Sequence, residues 1–460
     1  MEAGRVAAGP SGSAVRTEPG GGTGAGLTQT DVCIVGAGPA GLVLALLLLK
    51  SGLRVTVVEK TAGHRREFRG EILQPGALAL LDRLGVLAGA KDRGCHPHQR
   101  FRLVEGDRVL LDIDYQVLPA PHNHLLSIPQ AHVLDQLLVE CRKLPGFALL
   151  AGWRVNGLVR DGAGRVTGVR AAGADGVRDM AARVVVAADG RFSKVRALAG
   201  IEAGRSDVFD QDVLWFKLNQ GAPGEQAAGP RAERVSWAGQ AVERDVRVFR
   251  ASGSPVLVYH SYPDRLQIGW TLPHRSYTRI AGQGLGHVKD RLMAAAPPYA
   301  DLIRDQIRTA NDLSLLDVFS GRAERWAQDG LLLIGDAAHT HGPIGAQGIN
   351  LAIQDAVVAH PVLVSALAAG DTGAASLADF ERRRAPDIDR VMRVQRLQSK
   401  AMLSHGTLAT QVRPRLARLL RHTPLYRKVL DVIAFGNPAI RISEECFTDG
   451  PRPRRRPGTD

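Results

Sequence analysis

The fold of this chain is most constrained by a stretch near its start, DVCIVGAGPAGLVLALLLLKSGLRVTVVEK, at Asp31–Lys60. It reads as a strand, a glycine-rich turn, an apolar helix and a second strand that ends at Glu59. Gly36, Gly38 and Gly41 have the GxGxxG spacing: one glycine makes the tight turn, one lets a pyrophosphate approach, and one lets the helix pack on the strand. Glu59 stands where a carboxylate accepts from ribose hydroxyls. The stretch therefore predicts an α/β fold with a dinucleotide site, for either FAD or NAD.

A second constraint comes from LLLIGDAAHTHGPIGAQGINLAIQDA, at Leu331–Ala356. An apolar run ending at Ile334 predicts a buried strand, and helical spacing resumes after Gly348. Unpaired N–H groups and the positive end of the helix dipole favour negative charge at such a helix start. The glycine-rich turn therefore predicts a place where an anionic or electron-rich ligand touches the backbone. His339 and His341 in this stretch could line that ligand, although a structural role is the commoner one for such histidines.

A third segment, VVVAADGRFSKVR, delivers Asp189 and Gly190 from the end of a strand. On its own it could be an ordinary turn. We interpret this segment together with the other two motifs, because it lies between them in the sequence.

Composition limits the class of protein. The 460 residues are 45% hydrophobic and carry a formal net charge of +13, which suits two packed domains and an anionic cofactor. Four widely spaced cysteines, without a zinc-type cluster, predict neither a disulfide framework nor a metal site. The longest apolar run, Leu42–Leu49, is shorter than the about 20 residues that span a bilayer, so we expect a buried helix. Nothing resembling a signal peptide precedes it, and we expect a cytoplasmic protein that binds no nucleic acid.

The residue types, and with them the expected secondary structure, change along the chain. Strands rich in β-branched and aromatic residues from about Val213 to Leu272 predict an antiparallel sheet. The predicted division is a disordered leader at 1–27, a first part of the cofactor domain at 28–205, a substrate domain at 206–320, a second part of the cofactor domain at 321–385, C-terminal helices at 386–450 and a basic disordered tail at 451–460.

Taken in order, the GxGxxG turn, the Asp189-Gly190 pair and the Gly335-Asp336 segment resemble the flavoprotein monooxygenases of the para-hydroxybenzoate hydroxylase superfamily. The resemblance covers roughly residues 31–385. It implies a Rossmann-like FAD-binding domain interleaved with an antiparallel-sheet substrate domain, followed by a helical C-terminal segment. Because no second GxGxxG follows a strand, NADH or NADPH would visit the FAD site transiently as electron donor, unless a separate reductase supplies the electrons.

The resemblance also implies roles for individual residues. Asp336 would bind a ribityl hydroxyl, Gln130 would hold the flavin chain, and Arg69 would touch the FAD phosphates and the path of NAD(P)H. Arg69 has two alternatives: it could be a surface cation, or Arg65 or Arg66 could take its place. The implied cofactor-binding residues are Gly36, Gly38, Ala40, Gly41, Glu59, Lys60, Arg69, Gln130, Asp189, Gly190, Gly335, Asp336, Gly348, Ile349 and Asn350. The implied surroundings of the flavin ring are Pro343, Gly345, Gln347 and Gly348, where a helix start would stabilise the charge of reduced flavin.

Candidate substrate residues are polar and aromatic side chains of the predicted sheet: Trp215, Tyr259, His260, Tyr262 and Trp270. Their alternative role is packing, and strand alternation lets only about half of them face a cavity. No acid–base pair stands out, which fits oxygen transfer from a C4a-hydroperoxyflavin to a substrate that the protein orients and shields from water.

The leading prediction is an FAD-dependent monooxygenase that takes NAD(P)H, O2 and a small hydrophobic or aromatic substrate, and hydroxylates a phenol or polyketide-like ring. RGEILQPG and DGRFSKVR also resemble segments of squalene epoxidases, so alkene epoxidation stays open. The alternatives are a flavin-dependent reductase of prenyl double bonds, a halogenase disfavoured by Ile268 where the halogenase pattern has tryptophan, and a non-catalytic binding protein. The C-terminal helices could touch a membrane or dock onto the FAD domain.

Overall fold

A computed structural model of the chain describes residues 30–63, 71–105, 108–206, 211–219, 245–251, 254–403 and 423–448. The predicted leader, the predicted basic tail and Arg69 lie outside these ranges. Numbered in chain order, the described strands are β1 (Thr30–Val35), β2 (Val55–Glu59), β3 (Ile72–Leu73), β4 (His96–His98), β5 (Arg100–Glu105), β6 (Arg108–Asp114), β7 (Leu125–Ser127), β8 (Phe147–Ala151), β9 (Arg154–Arg160), β10 (Val166–Gly173), β11 (Gly176–Ala187), β12 (Ala203–Ser206), β13 (Gln211–Asn219), β14 (Asp245–Ala251), β15 (Ser254–Ser261), β16 (Arg265–Pro273), β17 (Ser314–Leu316), β18 (Ser320–Ala323), β19 (Ala327–Gln328), β20 (Leu331–Leu333) and β21 (His339–Thr340). The described α-helices are α1 (Pro39–Lys50), α2 (Pro75–Arg83), α3 (Leu87–Asp92), α4 (Gln130–Arg142), α5 (Lys194–Leu198), α6 (Ser276–Ala281), α7 (Leu285–Ala295), α8 (Ala300–Gln306), α9 (Gln347–Ala369), α10 (Ala374–Leu377), α11 (Asp379–Leu403) and α12 (Pro424–Phe435).

The first sheet carries the glycine motifs at one edge. Six of its strands run in the order β19-β20-β11-β1-β2-β8, and within this order all neighbours except β19 and β20 pair in parallel. Strand β10 adds an antiparallel pairing to β11 and to β9. Parallel strands end at the same edge of a sheet, so the turns after β1, β11 and β20 meet there. The predicted α/β fold is confirmed, and these turns are the three segments singled out in the sequence.

Helix α1 is apolar all round because it is buried all round. Its residues from Ala40 to Leu49 are buried, and it packs against α9, α4 and β2. A helix without a polar face is typical of the centre of a large core. The prediction that Leu42–Leu49 forms a buried helix is confirmed.

The second sheet has the order β17-β13-β16-β15-β14-β5-β6. Its neighbours pair antiparallel except β14 and β5, which pair in parallel. The sequence placed residues 28–205 in the cofactor domain, but β5 and β6 come from within that range and complete the second sheet. The two units are therefore more deeply interleaved than the predicted boundaries imply. Those boundaries stay a proposal with this amendment.

The helical C-terminal segment packs back onto the body of the protein. Leu430 and Ala434 of α12 are buried in a cluster with Ile72 and Tyr115. One described helical segment, Ile344–Ala369, has the length and apolarity of a membrane span, but 67% of its most apolar window is buried inside the protein. This segment contains α9, a central helix of the core.

Candidate active site

The first glycine turn gives each of its glycines a different task. Gly36 has φ +108°, and an added Cβ would lie 2.4 Å from the carbonyl oxygen of Ala188. An added Cβ on Gly41 would lie 2.0 Å from the carbonyl oxygen of Gly36, so α1 packs directly on the turn. Gly38 has nothing within 4 Å of such a Cβ, and no side chain caps α1. The turn therefore presents bare backbone and uncapped N–H groups at a helix start.

Glu59 holds this turn in shape from the end of β2. Its Oε2 accepts from the backbone N–H of Ala37 at 2.9 Å, and its Oε1 accepts from the N–H and hydroxyl of Thr61 at 3.1 and 2.8 Å. The side chain is buried yet lines the main cavity. Glu59 therefore fixes the glycine turn, and its predicted contact with a ribose stays a prediction.

The Asp189-Gly190 and Gly335-Asp336 segments are joined by one arginine. Asp189 caps α5 by accepting from the N–H of Lys194 at 2.7 Å. From the same helix, Arg196 donates to the carbonyl oxygen of Ala337 at 2.8 Å. The two segments are thus held at one place, on either side of the cavity.

The glycine-rich turn before α9 is held from both sides. The side chain of Gln74 donates to the carbonyl oxygen of Gly345 at 2.9 Å, and Asn350 accepts from the N–H of Gln74 at 2.8 Å. Gln395 of α11 donates to the carbonyl oxygen of Ile344 at 2.8 Å. Ala346 has φ +51°, a conformation that costs free energy outside glycine and persists where surrounding contacts enforce it.

A buried polar network supports this region from behind. Asp355 accepts from Arg384 Nε, His339 Nε2 and the N–H of Gly335, at 2.7, 2.7 and 2.8 Å. Burial raises the pKa of Asp355, but His339 and Arg384 outweigh it and lower that pKa to about 2. Because the ionised carboxylate only accepts, His339 Nε2 donates to it. His339 Nδ1 lies 2.7 Å from Nε2 of His341, and His341 lines the cavity.

The main cavity has a volume of about 770 Å³ and runs from the glycine turns to the second sheet. It collects most of the residues predicted to bind a cofactor or surround the flavin. Those that line it are Gly36, Gly38, Ala40, Glu59, Lys60, Gln130, Asp189, Gly190, Asp336, Pro343, Gln347, Gly348 and Ile349, together with Trp215 and Tyr259 from the predicted substrate set.

Other predicted residues lie close by but do not line the cavity. Gly41, Gly335, Gly345 and Asn350 shape the turns that border it. His260 and Tyr262 belong to the rim of the second sheet, where His260 lies beside His96 with ring centroids 6.0 Å apart. Trp270 is buried in the apolar cluster on the other face of that sheet, because strand alternation turns it away. The structure therefore gives no support to a substrate contact by His260 or Trp270.

Sequence reasoning missed several contributors to the far end of the cavity, among them Glu71, Leu257 and Gln267. Gln267 could have been found, since Leu266, Ile268, Trp270 and Leu272 alternate with it along β16 and form one apolar face. The residue between them then faces the other way.

FAD fits this site by the shape of the backbone. Added Cβ atoms on Gly38 and Gly348 would meet nothing within 4 Å, and both glycines line the cavity at helix starts. Uncapped helix starts bind phosphate and other negative charge. At Gly38 and at Gly348 the backbone is therefore open to a ligand, as the motifs require for FAD binding.

Comparison with known proteins agrees with this geometry. The family model described as an FAD binding domain matches residues 29–395. The chain is 53% identical to 6-methylpretetramide 4-monooxygenase of Streptomyces rimosus over 92% of this chain and 96% of that protein. It is 29% identical to protoasukamycin 4-monooxygenase of Streptomyces nodosus, over 80% of this chain and 87% of that protein. The crystal structure of p-nitrophenol 4-monooxygenase from Pseudomonas putida superposes with a TM-score of 0.71 at 18% identity, over 89% of this chain and 99% of that one.

The chain belongs to the FAD-binding-domain family, within the para-hydroxybenzoate hydroxylase superfamily. It is an FAD-dependent monooxygenase that uses NAD(P)H as electron donor. The predictions of family, enzyme class and cofactor are confirmed, and the alternative of a non-catalytic binding protein falls away.

The start of α9 offers a test of where the flavin lies. We expect Gly348→Val to lower the two-electron potential of bound FAD by about 10–40 mV, because the added side chain would enter the cavity and displace charge from the helix start, where such contacts are worth roughly 0.3–2 kcal/mol. A redox titration of the purified holoenzyme measures it. Gly286→Val is the matched control: Gly286 is also the second residue of a helix with open space around it, but lies outside the cavity. Normal FAD binding with an unchanged potential in Gly348→Val would move the flavin away from α9.

Proposed function

We propose that the enzyme hydroxylates a polycyclic aromatic polyketide, with FAD reduced by NADH or NADPH. The observation that carries this is the continuity of one cavity of about 770 Å³ from the glycine turns to the inner face of the second sheet. If FAD occupies the part of the cavity lined by the three motifs, the part lined by the second sheet remains for the substrate. The 53% identity to an enzyme named for 6-methylpretetramide supports a large fused-ring substrate.

The sheet end suits a flat ring system. Trp215 lies across Gly269, where an added Cβ would come within 2.7 Å of the indole ring. Ile72, Leu257 and Leu316 add apolar surface around it. Aromatic rings favour offset or edge contacts with such surfaces. A planar, mostly apolar substrate would therefore bury its faces here.

The protein's own contribution is placement and shielding. Reduced FAD activates O2 and supplies the oxygen atom that is transferred. Trp215, Leu257 and Tyr259 would orient the substrate ring, and the apolar walls would keep water from the reacting atoms. The glycine turns and the start of α9 would hold the cofactor against them.

We expect purified enzyme to be yellow and to oxidise NAD(P)H faster when 6-methylpretetramide is added, because substrate and nicotinamide take turns at one flavin. With isotopically labelled O2, the product should carry one labelled oxygen atom, as mass spectrometry will show. Oxidation without substrate is the control for uncoupled turnover. A product whose new hydroxyl lacks the label would refute the proposal. An epoxide, a chlorinated product or a saturated product would instead indicate one of the alternative flavin reactions. Comparison of NADH with NADPH identifies the electron donor.

We also propose that the enzyme works in the cytoplasm and that α12 docks onto the FAD-binding unit. Its four cysteines are free thiols, which suits a reducing compartment. Gln347 and Gln354 of α9 donate to the carbonyl oxygens of Ile433 and Phe435 at 2.8 and 2.6 Å. These contacts support docking over membrane contact by α12. Residues 404–422, which belong to the predicted C-terminal helices, lie outside the described ranges.

A further inference from the structure

The far end of the cavity carries a cluster of polar groups that the family motifs do not include. Glu71, Tyr259 and Gln267 line the cavity there, and all three are buried. Lys217 and Ser261 stand behind them on the same sheet. We call Glu71 and Gln267 the acceptor pair.

Strand register brings these residues together. Gln267 of β16 pairs with Lys217 of β13 on one side and with Tyr259 of β15 on the other. Directly paired residues project to the same face of a sheet. Ser261 lies two residues beyond Tyr259 and faces the same way. A polar row therefore crosses three strands at the cavity floor.

Glu71 is held over this row by two donors. Lys217 Nζ donates to Oε1 at 2.5 Å, and Ser261 Oγ donates to Oε2 at 2.8 Å. The ammonium balances the carboxylate's charge, which makes the burial of both tolerable. Each oxygen of an ionised carboxylate accepts about two hydrogen bonds, so Glu71 can accept further donors from the cavity side.

Gln267 brings an acceptor with nothing to accept. Its side chain is 1% exposed, and its Oε1 has no hydrogen-bond partner within the described part of the chain. Leaving a buried carbonyl oxygen unpaired costs free energy, which a ligand that supplies a donor recovers. The oxygen belongs to a residue in the cavity wall.

These groups define what they would recognise. Two acceptors call for a ligand edge with O–H or N–H donors, and the carboxylate of Glu71 disfavours a ligand carboxylate beside it. Burial and Glu71 hold the pKa of Tyr259 well above its usual value, so its hydroxyl stays neutral. The apolar surface of Trp215 and Leu257 adjoins the cluster. The match is a flat aromatic ring system with uncharged phenolic or enolic hydroxyls at its edge, one for each acceptor.

We propose that the acceptor pair binds phenolic or enolic hydroxyls of the substrate, with one O–H donated to each acceptor, and thereby selects hydroxyl-bearing rings and fixes their orientation at the flavin. The proposal rests on the proposed function, since it assigns residues to the substrate end of that site. It makes Gln267 and Glu71 specificity-determining residues for the hydroxylation.

The test compares removal of the donor with removal of the acceptor. We expect wild-type holoenzyme to bind 6-methylpretetramide about 10–100-fold more tightly than one of its mono-O-methyl ethers, because a site built for a hydroxyl rejects an analogue that leaves its polar groups unpaired. In Gln267→Met, methylation of the hydroxyl that donates to Gln267 should cost less than about 3-fold, and Glu71→Gln should have the same effect for the hydroxyl that donates to Glu71. Dissociation constants come from titrations that follow the flavin spectrum.

The controls separate recognition from folding. Gln306→Met removes a glutamine that bonds to Asn219 at 2.7 and 2.8 Å and lies outside the cavity, and it should keep the full discrimination. FAD content and thermal midpoint report whether each variant is folded, and Gln267→Met stands alone if Glu71→Gln fails to fold. Discrimination against every ether that is as strong in Gln267→Met as in wild type, or equal binding of every ether and the parent by wild type, would overturn the acceptor pair while leaving the hydroxylase intact. If 6-methylpretetramide neither binds nor reacts, the proposed function falls with it.

Discussion

Arg384→Met should lower the free energy of unfolding by about 3–5 kcal/mol, the cost of breaking a buried ion pair on one side. Arg384 and Asp355 are both fully buried, and Nε donates to the carboxylate at 2.7 Å. Methionine leaves the carboxylate in the core with His339 and one backbone N–H. Arg384 is one of the two groups that lower the pKa of Asp355 to about 2 against the effect of burial, so its removal leaves a buried carboxyl group with less opposite charge beside it.

The neighbouring residue supplies the control. Arg383 pairs with Asp379 at 2.6 Å, but its side chain is 55% exposed. Exposed ion pairs contribute about 0–1 kcal/mol, so Arg383→Met should be nearly neutral. Urea unfolding of both variants, each saturated with FAD, measures the difference. Equal stability of the two variants would mean that the network is not needed to hold the core.

The same substitution should loosen the cofactor. Asp355 fixes the N–H of Gly335, and Asp336 in the next position lines the cavity. Without Arg384 the carboxylate of Asp355 would change its orientation and shift the turn at Gly335 and Asp336. We therefore expect Arg384→Met to lose FAD on dilution faster than Arg383→Met does. Absorbance of flavin released through a filter reports it.

Acid should destabilise the protein well above the pH at which carboxylates are protonated. Burial lowers the pKa of His98 and of His360 to about 4, whereas the unfolded chain titrates near about 6.5. The unfolded state therefore binds more protons as the pH falls below 6.5. Stability is fully present above that pH and is lost down to about pH 4, by on the order of 3 kcal/mol for each histidine.

Urea midpoints between pH 7.5 and pH 4.5 test this. His360→Gln should be less stable than wild type at neutral pH but should show a shallower decline, because one titrating group is gone. The buried His341, whose pKa burial and His339 hold well below its usual value, adds to the remaining slope. A midpoint that is flat from pH 7 to pH 5 would contradict the assignment of these histidines as neutral core residues.

Local chain geometry explains why the cofactor end could be predicted. A strand, three spaced glycines and a helix define their own turn, and Gly36 and Gly41 make the close backbone contacts that the spacing predicts. The substrate end depends on which strands pair, which no short window contains. Its aromatic side chain makes Trp270 a candidate substrate contact, but the alternation of β16 turns it away from the cavity and places Gln267 in the cavity wall. No local sequence pattern marks Glu71 as a site residue, because its position depends on a hydrogen bond from Lys217, which is far away in the sequence.

The parallel pairing of β14 with β5 has a consequence for how such enzymes diversify. The second sheet, whose strands β13, β15, β16 and β17 line the cavity, is encoded by two separate stretches of the gene, around residues 100–114 and 211–316. Recombination that exchanged only the longer stretch between relatives would set a foreign β14 against a resident β5, with Val246 and Val248 meeting partners they did not evolve with. Exchange between relatives should therefore preserve the second sheet only when both stretches move together.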